Sequence, residues 1–462
     1  MRIFLTAVAA CLMATSPGEP VAAAPIKALV GGRLIDGNGG PPVANSVILI
    51  DGDRITAVGT VGTLPVPAGA EVIATDGMDV LPGLWDMHVH LMIDGHSDYP
   101  HWDKAYMNRF RSEIMPAGAV QLLLAGVTSA RDLGAPLDDS IAVRNAVRDG
   151  RIPGPRLYMS GPFLQHAPYP DTEAYRWGIK DAADARAKVR QLKAAGVDVI
   201  KLIDQDQIGE TVGRALVDEA HKNGLKVVGH SHLPDEIRIG LKIGVDNFEH
   251  TGLGAAPRYP DDIMLAIEAR AAEGRVRGSP LYWTPTISGL YNYNRLIANP
   301  EKLDDACWTR GLKPDTIADI KASLVHPDQL EYNQLTPRRK PTLDVKFAQL
   351  RKAGVIMLIG TDSGIPATFH CQSTWNELDV WVNKLGVPPM EAIQAATYWP
   401  AKFMGVEKTS GTVVAGKYAD IIAVRGDVLE TIGLLQNVGL VMKGGTVYKQ
   451  GGVPVEAALA PR

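Results

Sequence analysis

The sequence predicts an α/β fold, namely a (β/α)8 TIM barrel with a small β-sandwich domain built from both termini. Three observations support this prediction. The central part of the chain contains eight short apolar runs, helical patterns lie between them, and strand-like segments with glycine turns occupy both ends. Short continuous apolar runs are typical of parallel strands that are covered on both faces. Eight strands, each followed by a helix, is the count of a (β/α)8 barrel.

The first 23 residues are predicted to be a signal peptide. Arg2 gives this segment a positive start, residues 3–14 are mostly apolar, and Val21-Ala22-Ala23 is a small-residue cleavage pattern. The apolar run is too short to cross ~30 Å of hydrocarbon, so we expect no membrane span. The predicted location is the periplasm or the extracellular space. A lipoprotein anchored at Cys11 is the alternative, because residues 8–11 loosely resemble a lipoprotein cleavage box.

Residues 24–82 and 405–462 are predicted to form the two halves of one β-sandwich domain. Strand-like runs occur at 46–50 and 54–58 in the first segment and at 419–424 in the second. Turn residues such as glycine separate these runs. Neither segment has enough apolar residues for a core of its own, so the two half-sheets are expected to bury each other.

Residues 83–404 are predicted to form the barrel. Its eight strands are expected at 84–90, 127–131, 156–160, 197–203, 226–231, 246–251, 282–287 and 355–361. Helical patterns lie between the strands, for example at 182–195, 210–223 and 343–353. Residues 289–340 are longer than one connection needs, and we expect an insertion there after the seventh strand.

Charge and cysteine content narrow the class of protein. The chain has 47 Lys and Arg against 51 Asp and Glu, so it offers no basic surface for nucleic acid. We expect a small-molecule substrate as the partner and a homo-oligomer as the assembly.

Removal of the signal peptide leaves two cysteines, Cys307 and Cys371, which are too few for a disulfide framework. The sequence leaves open whether these two cysteines pair.

The first predicted barrel strand ends in two histidines. A parallel barrel carries its chemistry at the carboxyl ends of its strands. Residues two apart on a strand share a face, so His88 and His90 are both expected to point into the mouth of the barrel. Two imidazoles placed in this way can bind one metal ion. An isolated pair of this kind is weak evidence for a metal site, so the residues at the ends of the other strands have to be considered with it.

Three further strands end in polar residues of the same kind. The fifth strand ends in His230-Ser231-His232, the sixth ends in Glu249-His250, and the eighth leads into Gly360-Thr361-Asp362. Imidazoles and a carboxylate at one level of a barrel are typical of a metal site.

The fourth strand carries a lysine among apolar residues. Lys201 shares a face with Val197 and Val199, so its ammonium is predicted to point into the barrel. An inward lysine with few partners for its charge loses its proton easily. A neutral lysine amine can add carbon dioxide to form a carbamate, which is an oxygen ligand able to bridge two metals. A lysine that extends to solvent or pairs with a carboxylate is the alternative.

Together these segments resemble the amidohydrolase superfamily, specifically its binuclear branch related to prolidase-like and imidazolonepropionase-like proteins. The resemblance covers nearly all of the chain after the predicted signal peptide. The matching segments are PGLWDMHVH at 82–90, GVTSARD at 126–132, VIK at 199–201, HSH at 230–232, FEH at 248–250, GTD at 360–362 and GTVVAGKYAD at 411–420.

The resemblance implies a binuclear metal centre. Imidazole-rich sites suit zinc, so the implied cofactors are two divalent metal ions, expected to be Zn²⁺, and a carbamate on Lys201. Cobalt, manganese and iron accept the same ligand types and are the alternatives. The implied ligands are His88, His90 and Asp362 for the more buried metal, His230 and His250 for the more exposed metal, and carbamylated Lys201 between them.

The resemblance also implies a mechanism. Hydroxide between the two metals is the implied nucleophile, since a metal lowers the pKa of bound water to roughly 7. Asp362 is the implied catalytic base, which takes the proton from the attacking hydroxide and passes it to the leaving nitrogen. His232 faces the same cavity and is the candidate for contact with substrate. Packing, or hydrogen bonding behind a ligand, is its alternative role.

The predicted activity is that of a secreted metal-dependent hydrolase that cleaves amide C–N bonds of dipeptides or N-acyl amino acids. A lactonase or esterase, or a phosphotriesterase-like hydrolase, is the alternative, because the same metal pair cleaves those bonds. A mononuclear deaminase fits less well. Such deaminases have a glutamate three residues after the histidine of the fifth strand, where this chain has Leu233, and Glu236 follows three residues later. A secreted metal-binding module is the non-enzymatic alternative.

The loops after the predicted strands are rich in aromatic residues and carry the candidate substrate contacts. Aromatic surroundings suit a bulky or cyclic group, and Arg176, Arg258 or Arg295 is available to pair with a substrate carboxylate. Packing that only holds the long loops in place is the alternative role of each aromatic residue.

Overall fold

A computed structural model describes residues 25–252, 254, 256–292 and 299–460 of the chain. The predicted signal peptide, Cys11 and Arg295 lie outside the described residues. Within the described part, no helix has both the length and the apolar composition needed to cross a bilayer.

Strands and helices alternate along most of the described chain. The strands are β1 (Lys27–Val30), β2 (Arg33–Leu34), β3 (Ser46–Asp51), β4 (Arg54–Thr60), β5 (Glu71–Ala74), β6 (Met78–Pro82), β7 (Leu84–Val89), β8 (Val127–Asp132), β9 (Arg156–Met159), β10 (Phe163–Gln165), β11 (Arg176–Gly178), β12 (Val199–Leu202), β13 (Lys226–His230), β14 (Asn247–Glu249), β15 (Tyr282–Thr284), β16 (Ile356–Met357), β17 (Ile421–Arg425), β18 (Leu440–Lys443), β19 (Thr446–Gln450) and β20 (Val453–Pro454). The α-helices are α1 (Tyr99–Tyr106), α2 (Met115–Leu124), α3 (Leu137–Arg148), α4 (Ala182–Ala195), α5 (Gln205–Ile208), α6 (Glu210–Lys222), α7 (Pro234–Ile243), α8 (Asp261–Arg277), α9 (Ser288–Asn292), α10 (Ala306–Thr309), α11 (Pro314–Ser323), α12 (Glu331–Ala353), α13 (His370–Asn383), α14 (Pro389–Ala395), α15 (Tyr398–Phe403) and α16 (Glu456–Leu459).

The strands near the two ends of the chain form two sheets that share one hydrophobic cluster. The first sheet has the order β4-β3-β1-β5, and the second has the order β2-β6-β17-β18-β19-β20. In the second sheet, β6 pairs antiparallel with β17, and Leu81 lies opposite Ile422. Ile48 and Ile50 of the first sheet and Ile421 of the second are buried in the same cluster. Each terminal segment therefore contributes apolar side chains to a core that the other segment helps to cover.

The central strands are parallel and give the protein the α/β character that the sequence predicts. They form two sheets, β7-β8-β9 and β11-β10-β12-β13-β14-β15-β16. Backbone hydrogen bonds join these sheets on both sides. The N–H of Asp198 donates to the carbonyl of Met159 at 2.8 Å, and the N–H of Met87 donates to that of Ile359 at 2.9 Å. Parallel strands have their carboxyl ends on the same side of a sheet, and the candidate ligands lie there.

Each of the eight predicted barrel strands coincides with an observed strand, but the eighth is much shorter than predicted. The sequence pattern predicts a strand at 355–361, whereas β16 has only two residues, Ile356 and Met357. Beyond it, Gly360 packs so closely on β7 that a Cβ there would lie 2.9 Å from the nitrogen of His88. The backbone then turns at Asp362, where φ is 59°. Beyond Met357, the N–H of Leu358 still donates to the carbonyl of Trp283, and the carbonyl of Ile359 accepts from the N–H of Met87, so the chain continues between β15 and β7.

The helices match the predicted ranges at two places and differ at a third. α4 covers the predicted range 182–195, and α6 ends one residue before the predicted end at 223. The prediction at 343–353 covers only the end of α12, which begins at Glu331. Pro337 and Pro341 lie inside α12. Proline normally interrupts a helix, so the sequence pattern indicates a helix only after them.

The predicted insertion after the seventh barrel strand contains α9, α10, α11 and the first part of α12. A disulfide joins Cys307 in α10 to Cys371 in α13. This bond tethers the insertion to the helix that follows the eighth barrel strand, and it settles the pairing that the sequence leaves open.

Candidate metal centre

Three ligand atoms converge at the carboxyl end of β7. Nε2 of His88 lies 3.3 Å from Nε2 of His90. Oδ1 of Asp362 lies 3.4 Å from the first of these nitrogens and 3.1 Å from the second. Two ligand atoms ~2.1 Å from a tetrahedral ion are about 3.4 Å apart. The triangle therefore has the dimensions of three ligands around one metal.

A second group of ligand atoms adjoins the first. Ligand atoms of His230, His232 and His250 lie within 4.8 Å of one another. The ring of His250 is 4.7 Å from that of His230 and 4.8 Å from that of His88. Oδ2 of Asp362 is 3.9 Å from Nδ1 of His250. The structure thus brings the predicted histidines and the aspartate together, and it places His232 beside them.

Lys201 is fully buried, and its Nζ has no hydrogen-bond partner among the described residues. Burial lowers the pKa of this amine to about 8, although the charges of Glu249 and Asp362 oppose the shift. Burial, and after it the charge of Lys201, lowers the pKa of His88 in the first group and of His230 in the second. Lys201 pairs in register with Val228 of β13, two residues before His230, so its side chain lies on the same face of the sheet as that of His230.

Two of the candidate ligands have a left-handed backbone. The φ angle is 73° at His250 and 59° at Asp362. This conformation costs a residue with a Cβ about 1–3 kcal/mol, and in proteins it clusters at functional sites. In β14, successive side chains point to opposite faces of the sheet, and the left-handed conformation of His250 ends this alternation. Glu249 and His250 therefore both contact the site although they are adjacent in the chain.

Glu249 connects a candidate ligand to a buried cation. Its Oε2 accepts a hydrogen bond from Nδ1 of His88 at 2.8 Å, and its Oε1 pairs with Arg131 at 2.6 Å. Because a carboxylate only accepts, Nδ1 of His88 carries the proton and Nε2 presents its lone pair to the site. No role was predicted for Glu249 or Arg131. Both lie in segments that carry the family resemblance, and this was the only sequence feature that pointed to them.

Asp86 is a second buried carboxylate for which no role was predicted. It accepts hydrogen bonds from the hydroxyls of Thr361 at 2.7 Å and Thr374 at 2.8 Å, and from the N–H of His88 at 3.1 Å. Burial raises its pKa to about 7. The carboxylate ties β7 to the segment after the eighth barrel strand, and it thereby fixes His88 relative to Asp362.

The candidate ligands have the protonation states that a cation needs. Burial lowers the pKa of His88, His230 and His250 well below the usual range, so these imidazoles are neutral at pH 7. Burial raises the pKa of Asp362, but the hydrogen bond from His90 and the charge of His250 outweigh it, and the net shift is downward. Neutral imidazoles and an ionised carboxylate are the forms that bind metal.

Several buried polar atoms of the two groups have no hydrogen-bond partner among the described residues. In the second group they are Nδ1 of His230, Nε2 of His232 and Nε2 of His250; Nδ1 of His90, on the other side of its ring from the triangle, and Nζ of Lys201 are unpaired as well. Buried polar atoms are nearly always paired in folded proteins, so a cluster of unpaired ones requires an explanation. Imidazole nitrogens with a carboxylate oxygen are a donor set that suits zinc. The residues present therefore fit a divalent metal.

One of the three candidate arginines for a substrate carboxylate is separated from a candidate ligand by a single aromatic ring. The guanidinium of Arg176 is 5.0 Å from the ring centre of Phe163, and that ring is 5.7 Å from the ring of His90. Arg176 donates to Oε1 of Gln165 at 2.9 Å, and its buried Nε has no hydrogen-bond partner among the described residues. Arg258, by contrast, is largely exposed.

Comparison with known proteins gives the family. The chain matches the description "Amidohydrolase family" over residues 80–448, a range that contains every candidate ligand. The chain belongs to the amidohydrolase family. The predicted membership in the amidohydrolase superfamily is thereby confirmed, and the protein is a hydrolase. Members of this family typically bind divalent metal, in agreement with the donor set at the carboxyl ends of the strands.

Individual relatives extend the comparison. Ochratoxinase of Aspergillus niger is 26% identical, over 89% of this chain and 84% of its own length. Imidazolonepropionase of Hyphomonas neptunium is 24% identical, over 82% of this chain and 87% of its own length. The solved structure of a Xaa-Pro dipeptidase with bound methionine has a TM-score of 0.69 and 24% identity, and covers 92% of this chain and 100% of that chain. This amidohydrolase therefore shares its fold with a dipeptidase.

Proposed function

We propose that this amidohydrolase is a binuclear metal-dependent enzyme that cleaves amide C–N bonds of dipeptides or N-acyl amino acids. The observation that carries the proposal is the buried amine of Lys201, which has no hydrogen-bond partner among the described residues. It lies on the strand next to the one that ends in His230, and two adjoining groups of ligand atoms lie at the ends of these strands and their neighbours. One metal needs only one of these groups. Two groups, with a buried amine whose charge lowers the pKa of a histidine in each, match a pair of metals that share a bridging ligand.

The proposed bridging ligand is a carbamate on Lys201. The neutral Nζ attacks the carbon of carbon dioxide, the new N–C bond forms, and one proton leaves the nitrogen for solvent. The product is an anionic group with two oxygens, which suits two cations. A pKa of about 8 leaves part of the amine neutral near pH 7, so that carbamate can form.

The proposed metals are two Zn²⁺ ions. His88, His90 and Asp362 are the proposed ligands of one ion, and His230 and His250 those of the other. When bound, the ions supply an activated water as nucleophile and polarise the scissile carbonyl. Glu249 and Asp86 position His88: Glu249 accepts a hydrogen bond from Nδ1 of His88, and Asp86 accepts one from the backbone N–H of His88.

Asp362 is proposed to carry the proton. One oxygen of its carboxylate is 3.1 Å from Nε2 of His90, and the other is 3.9 Å from Nδ1 of His250, so it faces both groups. Its lowered pKa keeps it ionised at neutral pH. The carboxylate can therefore accept a proton from the attacking water and deliver it to the leaving nitrogen as the C–N bond breaks.

His232 is proposed to contact the substrate. Its ring lies 4.2 Å from that of His230, and its buried Nε2 has no hydrogen-bond partner among the described residues. Burial lowers its pKa to about 4, so the ring is neutral at pH 7 and can donate one N–H to a substrate oxygen.

Arg176 is proposed to pair with the carboxylate of the substrate. Its guanidinium stacks near Phe163, whose ring contacts that of His90, and an arginine can hold a carboxylate through two parallel hydrogen bonds. The names of the relatives support a substrate of this kind. One acts on Xaa-Pro dipeptides, and its structure holds methionine, which has a free carboxylate.

Deamination is disfavoured by the residues that follow His230. The position of the expected glutamate holds Leu233, whose side chain is half-exposed. The carboxylate of Glu236 accepts a hydrogen bond from the N–H of Leu233 at 2.8 Å and thereby caps α7. This contact gives Glu236 a structural role at the start of the helix.

Further parts of the sequence prediction stand as proposals. The parallel strands are proposed to close as an eight-stranded barrel over residues 83–404, and the terminal sheets to form a β-sandwich from 24–82 and 405–462. Export through a signal peptide at 1–23 and assembly as a homo-oligomer belong to the same proposal.

Metal content and substrate range test the proposed function. The mature protein, purified without chelator, is treated with acid and then supplied with Zn²⁺ in the presence or absence of bicarbonate. We expect elemental mass spectrometry to show two equivalents that return only with bicarbonate, in addition to any zinc that returns without it, together with hydrolysis of dipeptides or N-acyl amino acids. Metal uptake indifferent to bicarbonate, or turnover confined to esters and lactones, would contradict the proposal.

A further inference from the structure

A third group of ligand atoms lies apart from the metal centre. Nε2 of His101 is 2.8 Å from Oδ2 of Asp319, and Nε2 of His96 is 3.7 Å from the same oxygen. Ligand atoms of the three residues lie within 4.8 Å of one another, and none of the three belongs to the other two groups. The histidines follow β7, whereas Asp319 lies in α11 of the insertion.

The spacing of these atoms suits a tetrahedral cation. Ligand atoms ~2.1 Å from such an ion are about 3.4 Å apart. The two nitrogen-to-oxygen distances, 2.8 and 3.7 Å, lie on either side of this value. The rings of His96 and His101 are nearly parallel, with their centres 5.3 Å apart. Two imidazolium ions would repel each other in this stack, whereas two neutral rings around a cation would not.

The surroundings of His96 allow its Nε2 to bind a cation. The carbonyl oxygen of Asp98 lies 3.1 Å from Nδ1 of His96 and can accept the Nδ1 proton. With that proton in place, Nε2 presents its lone pair toward Asp319. The N–H of Asp98, 3.0 Å from the same Nδ1, stabilises the other tautomer, so cation binding and the tautomer of His96 are coupled. His96 is 3% exposed.

The contacts of α11 hold Asp319 in place. The hydroxyl of Tyr106 donates to Oδ2 of Asp319 at 2.8 Å. One turn later, the carbonyl of Ser323 accepts a hydrogen bond from the hydroxyl of Ser97 at 2.7 Å. One turn earlier, Asp315 pairs with an arginine that follows α1. Residues four apart lie on the same face of a helix, so the carboxylate is fixed by contacts on both sides.

We infer that His96, His101 and Asp319 bind a divalent cation of the zinc type. Two imidazoles, one carboxylate and a water supply the four ligands that zinc takes. The cation fastens the insertion to the loop after the first barrel strand, the strand that carries His88 and His90. The inference does not depend on the proposed function, because it uses none of the proposed ligands of the metal centre.

A second histidine–aspartate pair provides a matched control. Nε2 of His221 is 2.8 Å from Oδ2 of Asp246, the same distance as in the pair of His101 and Asp319. The two histidine side chains are similarly exposed, 43% and 49%. Among the described residues, His221 and Asp246 have no third ligand atom close enough to complete a group.

The test compares the wild type with His101→Ala, Asp319→Asn and His221→Ala. Each metal-free protein is equilibrated with Zn²⁺ in buffer without carbon dioxide, desalted and measured by elemental mass spectrometry. We expect the wild type and His221→Ala to hold one equivalent more than the other two variants. We also expect zinc to raise the Tm of the wild type and of His221→Ala more than the Tm of His101→Ala and Asp319→Asn, because a ligand of the folded state stabilises that state.

Equal zinc content and equal zinc-dependent shifts of Tm in all four proteins would overturn the inference. Since the measured quantity is a difference between variants, it does not depend on how many ions the metal centre holds. His101 is half-exposed, so its replacement by alanine leaves the core unchanged.

Discussion

Nδ1 of His88 lies 2.8 Å from Oε2 of Glu249, and both side chains are fully buried. This contact decides which nitrogen of His88 faces the other candidate ligands. Arg131, 2.6 Å from the other oxygen of Glu249, balances the buried negative charge. The histidine and the glutamate are 161 residues apart in the chain. The orientation of the ligand therefore depends on the folding of strands that are distant in sequence.

Glu249→Gln is expected to weaken metal binding or turnover by about 10–100-fold, because an amide no longer fixes the proton on Nδ1 of His88. Metal titration and kcat measure the effect. Glu377→Gln is the control, because Glu377 is equally buried but accepts hydrogen bonds from the N–H groups of Ile287 and Ser288. The control is expected to lower Tm and to leave metal affinity unchanged. Equal metal affinity of Glu249→Gln and the wild type would refute this role.

Lys201→Ala is expected to lose metal and activity together, because the proposed bridging ligand is absent. Small carboxylates such as acetate are expected to restore part of the activity, since they supply two oxygens in place of the carbamate. Lys226→Ala is the control. Lys226 begins β13, at the opposite end of the strand from His230, and its loss is expected to leave metal content unchanged. Unchanged turnover of Lys201→Ala would exclude the bridging role.

Asp362→Asn is expected to retain one or both metals while hydrolysis falls by about 10²–10⁴-fold, because an amide cannot carry the proton to the leaving nitrogen. Elemental mass spectrometry and kcat, measured on the same preparation, separate metal loss from loss of proton transfer. Near-normal turnover of this variant would remove Asp362 as the base.

Arg176→Gln is expected to raise KM by roughly 10–100-fold for substrates with a free carboxylate, because a charge-assisted hydrogen bond contributes about 1.5–3 kcal/mol. The same substrates with the carboxylate amidated are expected to show no difference from the wild type. Arg258→Gln, at an exposed arginine, is the control. An equal rise in KM for both kinds of substrate would mean that Arg176 does not recognise the carboxylate.

Glu113 is expected to make the docking of the insertion sensitive to acid. It accepts hydrogen bonds from the N–H of Lys313 and the hydroxyl of Thr316, each at 2.8 Å. Burial raises its pKa, but these bonds and Arg109 outweigh it, and the pKa lies below the usual 4.5. A carboxyl with a lowered pKa in the folded state stabilises that state above the unfolded pKa, and the stabilisation disappears as pH falls through the folded pKa.

Glu113→Gln is accordingly expected to unfold at lower urea concentration than the wild type at pH 7, with the difference shrinking as pH falls below 4.5. Urea denaturation at a series of pH values measures it. A difference that stays constant over this range would show that ionisation of Glu113 does not contribute.

Much of the fold and of the metal centre could be predicted from the sequence. His88 and His90 are two residues apart at the end of an apolar run, and this pattern alone places both on one face of a strand. Lys201 stands out because a charged residue interrupts a buried strand. The start of α12 could not be predicted, because Pro337 and Pro341 interrupt the pattern that marks a helix.

By itself, the sequence indicated the family, the positions of eight of the parallel strands along the chain and the candidate ligands, because hydrophobic period and motif residues are properties of short segments. Only the tertiary structure decided which side chains meet. It placed His250 of the second ligand group beside His88 of the first, oriented His88 through Glu249, and brought Asp319 to His101 across 218 residues of chain. The physical reason is that such contacts depend on how whole strands and helices pack, and no short segment contains that information.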